Sequence, residues 1–135
     1  LKEEDIVVYL RPTNPLREIG LIDKVLNLLI SKNLPAIRTL SEVLFSPYKM
    51  VFLKNDEIQP ILDIDGKTKG TDLPRQLLPK AYELNGNVDA FRVMAYRKFD
   101  SFFPTGTYGF VQKSATADIN YHSDLTRIIN QKNKY

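Results

Sequence analysis

Two arginines flank a rigid segment, RPTNPLR, that directly follows the apolar run IVVYL. Arg11 and Arg17 fall where the chain is expected to leave a buried strand and enter a helix. In α/β folds this end of a strand faces the crevice in which ligands bind, and the helix that follows offers unpaired N–H groups. A guanidinium group placed there can hold a carboxylate or a phosphate through paired hydrogen bonds. The local pattern alone slightly favours solvated arginines beside a loop, so both interpretations stay open.

Three further polar residues stand in proline-rich segments. Lys49 follows Pro47 at the expected start of a strand, and a lysine fixed there can neutralise an anion. The ordinary alternative for Lys49 is a surface lysine. Arg75 and Gln76 lie between two prolines in PRQLLP. This gives a stiff segment with guanidinium donors and an amide that both donates and accepts.

Oxygen-bearing side chains cluster in the segment ADINYHSDL near the end of the sequence. In an extended segment Asp118 and Asn120 point the same way, and such ligands suit Mg²⁺, which takes one or two carboxylates plus substrate phosphate. The alternative is that Asp118 starts a turn and Asp124 caps a helix. The absence of cysteine excludes disulfides and cysteine nucleophiles, and the single histidine, His122, argues against a zinc site.

The composition is that of an ordinary globular domain, with 135 residues, 43% of them hydrophobic and 26% charged. The net charge of +3 suits an anionic small molecule. It does not indicate nucleic-acid binding, because no aromatic and basic surface pattern accompanies it. No apolar stretch reaches the roughly 20 residues that span a bilayer, and no signal peptide is visible. We therefore expect a cytoplasmic protein that binds neither nucleic acid nor membrane.

The elements expected to position these residues begin with a strand, a helix and a second strand. The β-branched run at residues 6–10 predicts a buried strand, and apolar residues at helical spacing predict a helix over residues 18–31. Residues 36–43 predict a second strand. Strand, helix and strand in this order form a βαβ unit, normally right-handed with parallel strands, so we expect an α/β fold.

The middle of the chain has a different pattern. Residues 48–53 and 58–62 predict the two strands of a hairpin. The polar segment 63–79 is a long connection of the kind that is usually functional or mobile. The Asn85-Gly86 pair predicts a turn at the start of a strand over residues 84–93. Further along we expect a short helix over 93–99, a strand over 107–112 and a closing helix over 123–131 with Ser123 as its N-cap.

Taken in order, these motifs resemble those of the acylneuraminate cytidylyltransferases, the CMP-N-acetylneuraminic acid synthetase type of nucleotidyltransferase. YLRPTNPLRE resembles that family's Gln-Pro-Thr-Ser-Pro-Leu-Arg segment, and LPRQLLPKAYELNG closely resembles its Arg-Gln-x-Leu-Pro and Asn-Gly motif. SEVLFSPYKM resembles the segment around its Pro-x-Lys strand start. SFFPTGTYGFVQKSATADINYHSDL resembles its closing run, which includes Asp-Ile-Asp. The similarity spans nearly the whole chain, with matching order and spacing.

The resemblance implies a fold and an activity. Family enzymes transfer CMP from CTP to an acidic keto sugar of the sialic acid type, release pyrophosphate and use Mg²⁺. Their Rossmann-like sheet is part of a three-layer α/β/α arrangement, and an inserted β-hairpin arm joins two subunits in a homodimer.

By the same resemblance, the chain is the C-terminal part of a single cytidylyltransferase domain, without the half that binds CTP. Residues 1–45 are then the βαβ segment, 46–93 the hairpin and sugar-binding segment, and 94–135 the closing strand and helix. We expect such a portion to be inactive by itself and the full-length protein to be the enzyme.

The resemblance also implies roles for individual residues. Arg75 stands where the family has an arginine that faces the anionic end of the sugar, and Lys49 where a lysine lies near the sugar. Phe102 and Phe103 stand where paired phenylalanines of the partner subunit line the acyl-group pocket. The implied substrate-binding residues are Arg11, Lys49, Arg75, Gln76, Asn85, Phe102 and Phe103, and the implied metal ligands are Asp118 and Asn120.

Four positions depart from the family pattern seriously, beside the mild change from serine at Asn14. Arg11 replaces a glutamine that contacts the sugar, and Glu83 stands where an arginine is expected. Asp89 replaces a tyrosine, and Asn120 replaces the second aspartate of Asp-Ile-Asp. A cation gained at Arg11 and lost at Glu83 suggests a relocated anion contact. The alternative is a non-catalytic relative that binds a sugar or a nucleotide.

Overall fold

The computed structural model describes residues 1–113, 119 and 121–132, which form two compact units. The first unit consists of Leu1–Ser41 and Leu84–Tyr135, and the second of Glu42–Glu83. The elements are, in chain order, β1 (Ile6–Tyr9), α1 (Leu21–Ser31), β2 (Ala36–Glu42), β3 (Val51–Lys54), β4 (Glu57–Pro60), β5 (Tyr82–Arg92), α2 (Val93–Phe99), β6 (Tyr108–Val111) and α3 (His122–Lys132). The expected α/β class is confirmed in the form of a mixed sheet with a few helices.

The first unit contains a four-stranded sheet in the order β1-β5-β2-β6. β1 and β5 pair antiparallel, and β2 and β6 pair parallel. The Val88 N–H donates to Thr39 Oγ1, and the Arg92 N–H donates to the Pro35 carbonyl. Positions later in β5 thus meet positions earlier in β2, so these two strands run antiparallel. The predicted strand–helix–strand succession is present, but β5 lies between its two strands.

One face of this sheet is covered by α1. Leu21, Val25 and Leu29 recur every four residues along the helix and are all buried. They form one apolar cluster with Ile37, Val88 and Ala90 of the sheet. Burial of a leucine or valine side chain contributes about 1.5–3 kcal/mol, so this cluster stabilises the packing of α1 on the sheet. Side chains that point to the opposite face of the sheet are therefore free to serve another purpose.

α1 begins at Leu21, three residues later than the helical periodicity predicts. Gly20 precedes the helix with φ of 76°, a left-handed conformation that glycine adopts without a Cβ clash. The residues from Glu18 to Gly20 are therefore a turn that leads into the helix.

The prediction of a turn at Asn85-Gly86 was wrong, because both residues lie inside β5. Gly86 does have the positive φ, 66°, for which the pair is usually selected. The strand nevertheless continues past this position, and the Asn87 N–H donates to Asn85 Oδ1 at 3.1 Å across Gly86. A Cβ at Gly86 would lie 2.8 Å from Cδ of Arg11. The glycine therefore makes room for the Arg11 side chain instead of reversing the chain.

The second unit contains the predicted hairpin, β3 and β4. Asn55 and Asp56 form its two-residue turn with φ values of 50° and 64°, the signs that a type I′ turn requires. The start predicted at residue 48 was too early, because Pro47–Lys49 form a 3-10 turn. Segment 63–79 is not structureless: it has a bridge between Asp63 and Lys69 and 3-10 turns at Gly70–Asp72 and Arg75–Leu77.

The last part of the first unit contains the predicted short helix and strand, as α2 and β6. The closing helix α3 begins at His122, so Ser123 lies inside it and is not its N-cap. The Asp124 carboxylate instead accepts a hydrogen bond from the Tyr121 N–H at the start of the helix. None of the described helices is long and apolar enough to cross a membrane.

Candidate functional site

Polar side chains occupy the face of β5 that α1 does not cover. Asn85, Asn87 and Asp89 alternate along the strand with Val88 and Ala90, and all five are buried. Because successive strand residues point to opposite faces, the three polar residues share one face. Burying amides and a carboxylate is costly unless hydrogen bonds or ion pairs compensate. The compensating partners therefore define the site.

Asp89 is the centre of a charged cluster. Its side chain is 1% exposed, and Arg38 of β2 donates to both of its oxygens, from Nε at 3.3 Å and from Nη2 at 3.1 Å. A second guanidinium group, that of Arg11, has Nη2 3.6 Å from Asp89 Oδ2. On its other side, Arg38 stacks on the ring of Phe103, with Cζ 4.1 Å from the ring centroid. Two cations thus share one carboxylate, which leaves one unit of positive charge uncompensated within the cluster.

The two arginines of RPTNPLR have different environments. Arg17 donates from Nε to the Asn87 carbonyl at 2.8 Å and from Nη2 to the Arg11 carbonyl, so it fastens the loop to β5. The Arg11 side chain lies over Gly86 and remains 37% exposed. Arg17 is therefore committed to the backbone, whereas Arg11 combines a fixed position with access to solvent.

A network of amides lies next to the charged cluster. Asn85 Nδ2 donates to Gln112 Oε1 at 2.9 Å and to Ser41 Oγ at 3.0 Å, and Asn87 Nδ2 donates to the same Gln112 oxygen at 3.0 Å. Asn85, a sequence-predicted substrate residue, is thus buried and engaged in holding the strands together.

Asn14 of the RPTNPLR loop donates to the Gly86 carbonyl at 3.3 Å. Within the described residues, Oδ1 of Asn14 and Oδ1 of Asn87 are buried without a hydrogen-bond partner.

An aromatic pocket of about 500 Å³ lies on the same side of the sheet. Its lining consists of Val7, Tyr9, Phe91, Phe102 and Phe103. The Phe102 ring packs on Phe91, with centroids 4.9 Å apart, and Phe103 carries the stacked Arg38. Both predicted phenylalanines therefore line a pocket of their own chain, which suits an apolar substituent.

The second unit holds the other predicted substrate residues. Lys49 donates from Nζ to the Thr71 carbonyl at 2.6 Å, so its ammonium group stabilises the fold of this unit. Arg75 and Gln76 are exposed and line a shallow pocket of about 310 Å³. Arg11, Asn85, Phe102 and Phe103 belong to the first unit, whereas Lys49, Arg75 and Gln76 belong to the second.

The predicted metal ligands Asp118 and Asn120 lie outside the described residues. Ile119, which is described, donates its N–H to the Thr13 carbonyl at 2.9 Å and so lies against the RPTNPLR loop. The part of the chain that the structure describes contains no group of three or more acidic, histidine or cysteine side chains able to hold a metal ion.

The Asp65 carboxylate belongs to a turn. The backbone N–H groups of Thr68 and Lys67 donate to it and, with the Thr68 hydroxyl, hold its pKa below the ordinary value. Its oxygens are therefore committed to the polypeptide itself.

Comparison with known proteins does not assign the chain to a family. A scan against protein-family models found none that matches the chain, and a search of curated proteins found no similar sequence. The resemblance to acylneuraminate cytidylyltransferases therefore stays a prediction that depends on the quoted motifs.

Sequence reasoning missed Arg38, Asn87 and Gln112, and noted Asp89 only as a departure. The alternation of Asn85, Asn87 and Asp89 was the available signal, because polar residues at every second position of a strand share one face. Arg38 gave no local signal, since its partner Asp89 lies 51 residues away.

Proposed function

We propose that the chain supplies the acceptor-sugar side of a cytidylyltransferase, in which an acidic keto sugar of the sialic acid type receives CMP from CTP. The observation that supports this best is the exposed guanidinium group of Arg11, held in place over β5 on the side of the sheet that carries the aromatic pocket. Phe103, Arg38 and Asp89 connect the pocket to Arg11 through direct contacts. The Rossmann-like three-layer arrangement belongs to the same proposal.

The ligand chemistry follows from these two features. One excess positive charge matches one carboxylate, and a guanidinium group binds a carboxylate through two parallel hydrogen bonds. The pocket lined by Phe91, Phe102 and Phe103 excludes water from an apolar group such as the methyl of an N-acyl substituent. An acidic sugar that carries an acyl group has both parts.

In the proposed reaction, a sugar hydroxyl oxygen forms a bond to the α-phosphorus of CTP. The bond from that phosphorus to the oxygen of the leaving pyrophosphate breaks, and the hydroxyl proton is released. Arg11 contributes by orienting the acceptor, because holding two reactants in one geometry lowers the barrier to their reaction. By the resemblance, Asp118 and Asn120 would hold Mg²⁺, which neutralises charge on the phosphates.

The direct test is pyrophosphate release by the full-length gene product with CTP and Mg²⁺. The acceptors are N-acetylneuraminic, legionaminic and pseudaminic acids and an octulosonate. We expect release with at least one of these acids and a loss of at least tenfold in kcat/KM for Arg11→Met. Lys32→Met removes the same charge at the end of α1 and is expected to leave the rate unchanged. Absence of release with all four acids would contradict the proposal.

A second candidate is a relative that binds the sugar without transferring CMP. The hydrogen bond from Lys49 to the Thr71 carbonyl favours it, because one of the three N–H donors of this lysine is already used within its own unit. Binding of an acidic sugar without pyrophosphate release would distinguish it from the enzyme. Turnover that arises only in Asn120→Asp would also support this candidate, since that change restores the second carboxylate.

We also propose that the hairpin joins two copies of the chain in a homodimer. Val51 and Leu53 of β3 share one face with Ile58 and Pro60 of β4, and the three bulky apolar side chains of this face are 40–71% exposed. An isolated two-stranded hairpin is marginally stable in water, and a contiguous apolar face commonly marks an interface.

Sedimentation measures this homodimer directly. We expect a dimer mass for the natural chain and a monomer mass for Leu53→Glu. Gln59→Glu introduces the same charge on the opposite face of the hairpin and is expected to leave the dimer intact. A monomeric natural chain would contradict the dimer but not the sugar site.

A further inference from the structure

We propose that Arg38 is a positioning residue that keeps Arg11 available to a carboxylate ligand by neutralising Asp89. The inference rests on the proposed function for the identity of the natural ligand, but the anion site itself is defined by the described residues. Arg38 belongs to none of the motifs that carry the family resemblance.

The geometry around Asp89 distinguishes the two arginines. Arg38 donates to both carboxylate oxygens, at 3.3 and 3.1 Å, and its side chain is 18% exposed. Arg11 has its closest approach to the carboxylate at 3.6 Å and is about twice as exposed. Arg38 is thus the hydrogen-bonded partner of Asp89, whereas Arg11 is close enough to be attracted but keeps donors for another group.

Arg38 is itself held from two sides. The carboxylate of Asp89 fixes the edge of its guanidinium group, and the Phe103 ring covers its flat face at 4.1 Å. Arg11 is confined differently, because its Cδ, Nε and Nη1 lie within about 3 Å of where a Cβ of residue 86 would be. Gly86 therefore provides the space in which Arg11 lies beside Asp89.

The charges explain why Arg38 is needed. With Arg38 present, the Arg11–Asp89–Arg38 cluster has one excess positive charge, which an incoming carboxylate neutralises. Without Arg38, the buried Asp89 would have Arg11 as its only cation among the described residues, and an unpaired buried carboxylate is strongly unfavourable. Arg11 would then pair with Asp89, and the cluster would have no net charge to attract a ligand.

The ligand class is therefore a monocarboxylate with an apolar part that fits the pocket beside Phe103. Pyruvate is a suitable probe, because it carries the carboxylate next to a keto group, and methyl pyruvate is its uncharged counterpart. Arg11 is the residue that contacts the carboxylate, and Arg38 acts through Asp89.

The test is an NMR titration of the 135-residue chain with pyruvate, in which the Arg11 Nε–Hε signal and the dissociation constant are followed. We expect Arg38→Met to weaken pyruvate binding at least tenfold. Combining Arg38→Met with Asp89→Asn restores the single positive charge, so binding is expected to return to within about threefold of the natural chain. Lys32→Met is the matched control for loss of a charge elsewhere, and methyl pyruvate should not distinguish the variants.

If Arg38 had only a structural role, the double variant would bind pyruvate as weakly as Arg38→Met does. That result would overturn the inference. If Arg38→Met does not fold, the double variant still decides, because replacing both members of an ion pair is tolerated better than removing one. A folded double variant that fails to bind pyruvate would overturn the inference. Absence of pyruvate binding by the natural chain would do so too, while pyrophosphate release tests the proposed function separately.

Discussion

The two faces of β5 show how one strand serves packing and chemistry at once. Val88 and Ala90 face α1 and are fully buried in the apolar cluster. Asn87 and Asp89, their neighbours in sequence, are as deeply buried on the other face, but among amides and guanidinium groups. The first face is stabilised by the removal of apolar surface from water, and the second by specific hydrogen bonds and ion pairs.

Depth of burial alone therefore does not identify the apolar core. On the α1 face, any residue of similar volume and polarity is expected to be tolerated. On the polar face, each side chain depends on a particular partner, so a single substitution leaves its partner buried without a hydrogen bond or a counter-charge. Substitutions on each face therefore measure different physical terms.

The largest expected effect is a charge placed on the apolar face. Val88→Asp puts a carboxylate among Leu21, Val25 and Leu29, where no cation compensates it among the described residues of the cluster. We expect a loss of more than about 4 kcal/mol in the free energy of unfolding, measured by urea denaturation. Val88→Ala leaves only a small cavity and should cost about 2 kcal/mol. Equal costs for the two variants would show that Val88 does not lie in an apolar environment.

The next largest effect on stability is expected when the Asp89 carboxylate is removed from the polar face. Asp89→Ala leaves Arg11 and Arg38 facing each other without a carboxylate. Removing one member of a buried ion pair costs about 3–5 kcal/mol, and we expect the low end because both guanidinium groups keep contact with water. Asp23→Ala, at an exposed aspartate in the first turn of α1, should cost less than about 1 kcal/mol, because it loses only a favourable interaction with the helix N-terminus. Stability is measured by urea denaturation. An Asp89→Ala chain with the same free energy of unfolding as the natural chain would refute this prediction.

A smaller effect is expected at Gly86, where the polar face approaches the RPTNPLR loop. Gly86→Ala combines backbone strain at a φ of 66° with a Cβ that lies 2.8 Å from Arg11 Cδ. We expect a loss of about 2 kcal/mol in thermal unfolding and weaker binding of acids. Gly66→Ala is the control, because its φ is 75° but nothing lies within 4 Å of the added Cβ. Its cost is expected to be about 1 kcal/mol, from strain alone. Identical costs would show that Arg11 does not occupy the space over Gly86.

The smallest effect concerns Asp65, an exposed carboxylate that contrasts with the buried Asp89. Hydrogen bonds from the Thr68 and Lys67 backbone lower its pKa. Its stabilising contribution is therefore present above the unfolded pKa of about 3.9 and is lost as the pH falls through the lower folded pKa. An NMR titration should give a midpoint below about 3.9 for Asp65. Thr68→Ala removes only the hydrogen bond from the hydroxyl group, so it should move the midpoint partly back. A normal midpoint in the natural chain would contradict the hydrogen bonds to the Asp65 carboxylate.

Local patterns in the sequence predicted most of the elements. The spacing of Leu21, Val25 and Leu29 predicts α1, and two apolar runs around a four-residue polar turn predict the hairpin. The exact starts differ where backbone conformation decides, as at Gly20. Asn85-Gly86 was misassigned as a turn because the same positive φ serves a turn and a close approach to Arg11.

The site was less predictable than the fold, because its contacts join distant parts of the sequence. Arg11 was identified as the unusual residue, and Phe102 and Phe103 as a lining pair. The sequence did not show that Arg11 lies beside Asp89, or that Arg38 is hydrogen-bonded to the same carboxylate. No spacing rule links residues on different strands, since their pairing depends on the order of strands in the sheet.

Calorimetric titration with N-acetylneuraminic acid and its methyl ester measures whether Arg11 binds the carboxylate of an acidic sugar. The ester carries a methyl group on the carboxyl oxygen, which removes the negative charge and leaves the rest of the sugar unchanged. We expect the acid to bind the natural chain at least tenfold more tightly than the ester, and Arg11→Met to bind both with the weaker affinity. Equal affinities of acid and ester for the natural chain, or an unchanged preference in Arg11→Met, would contradict the account.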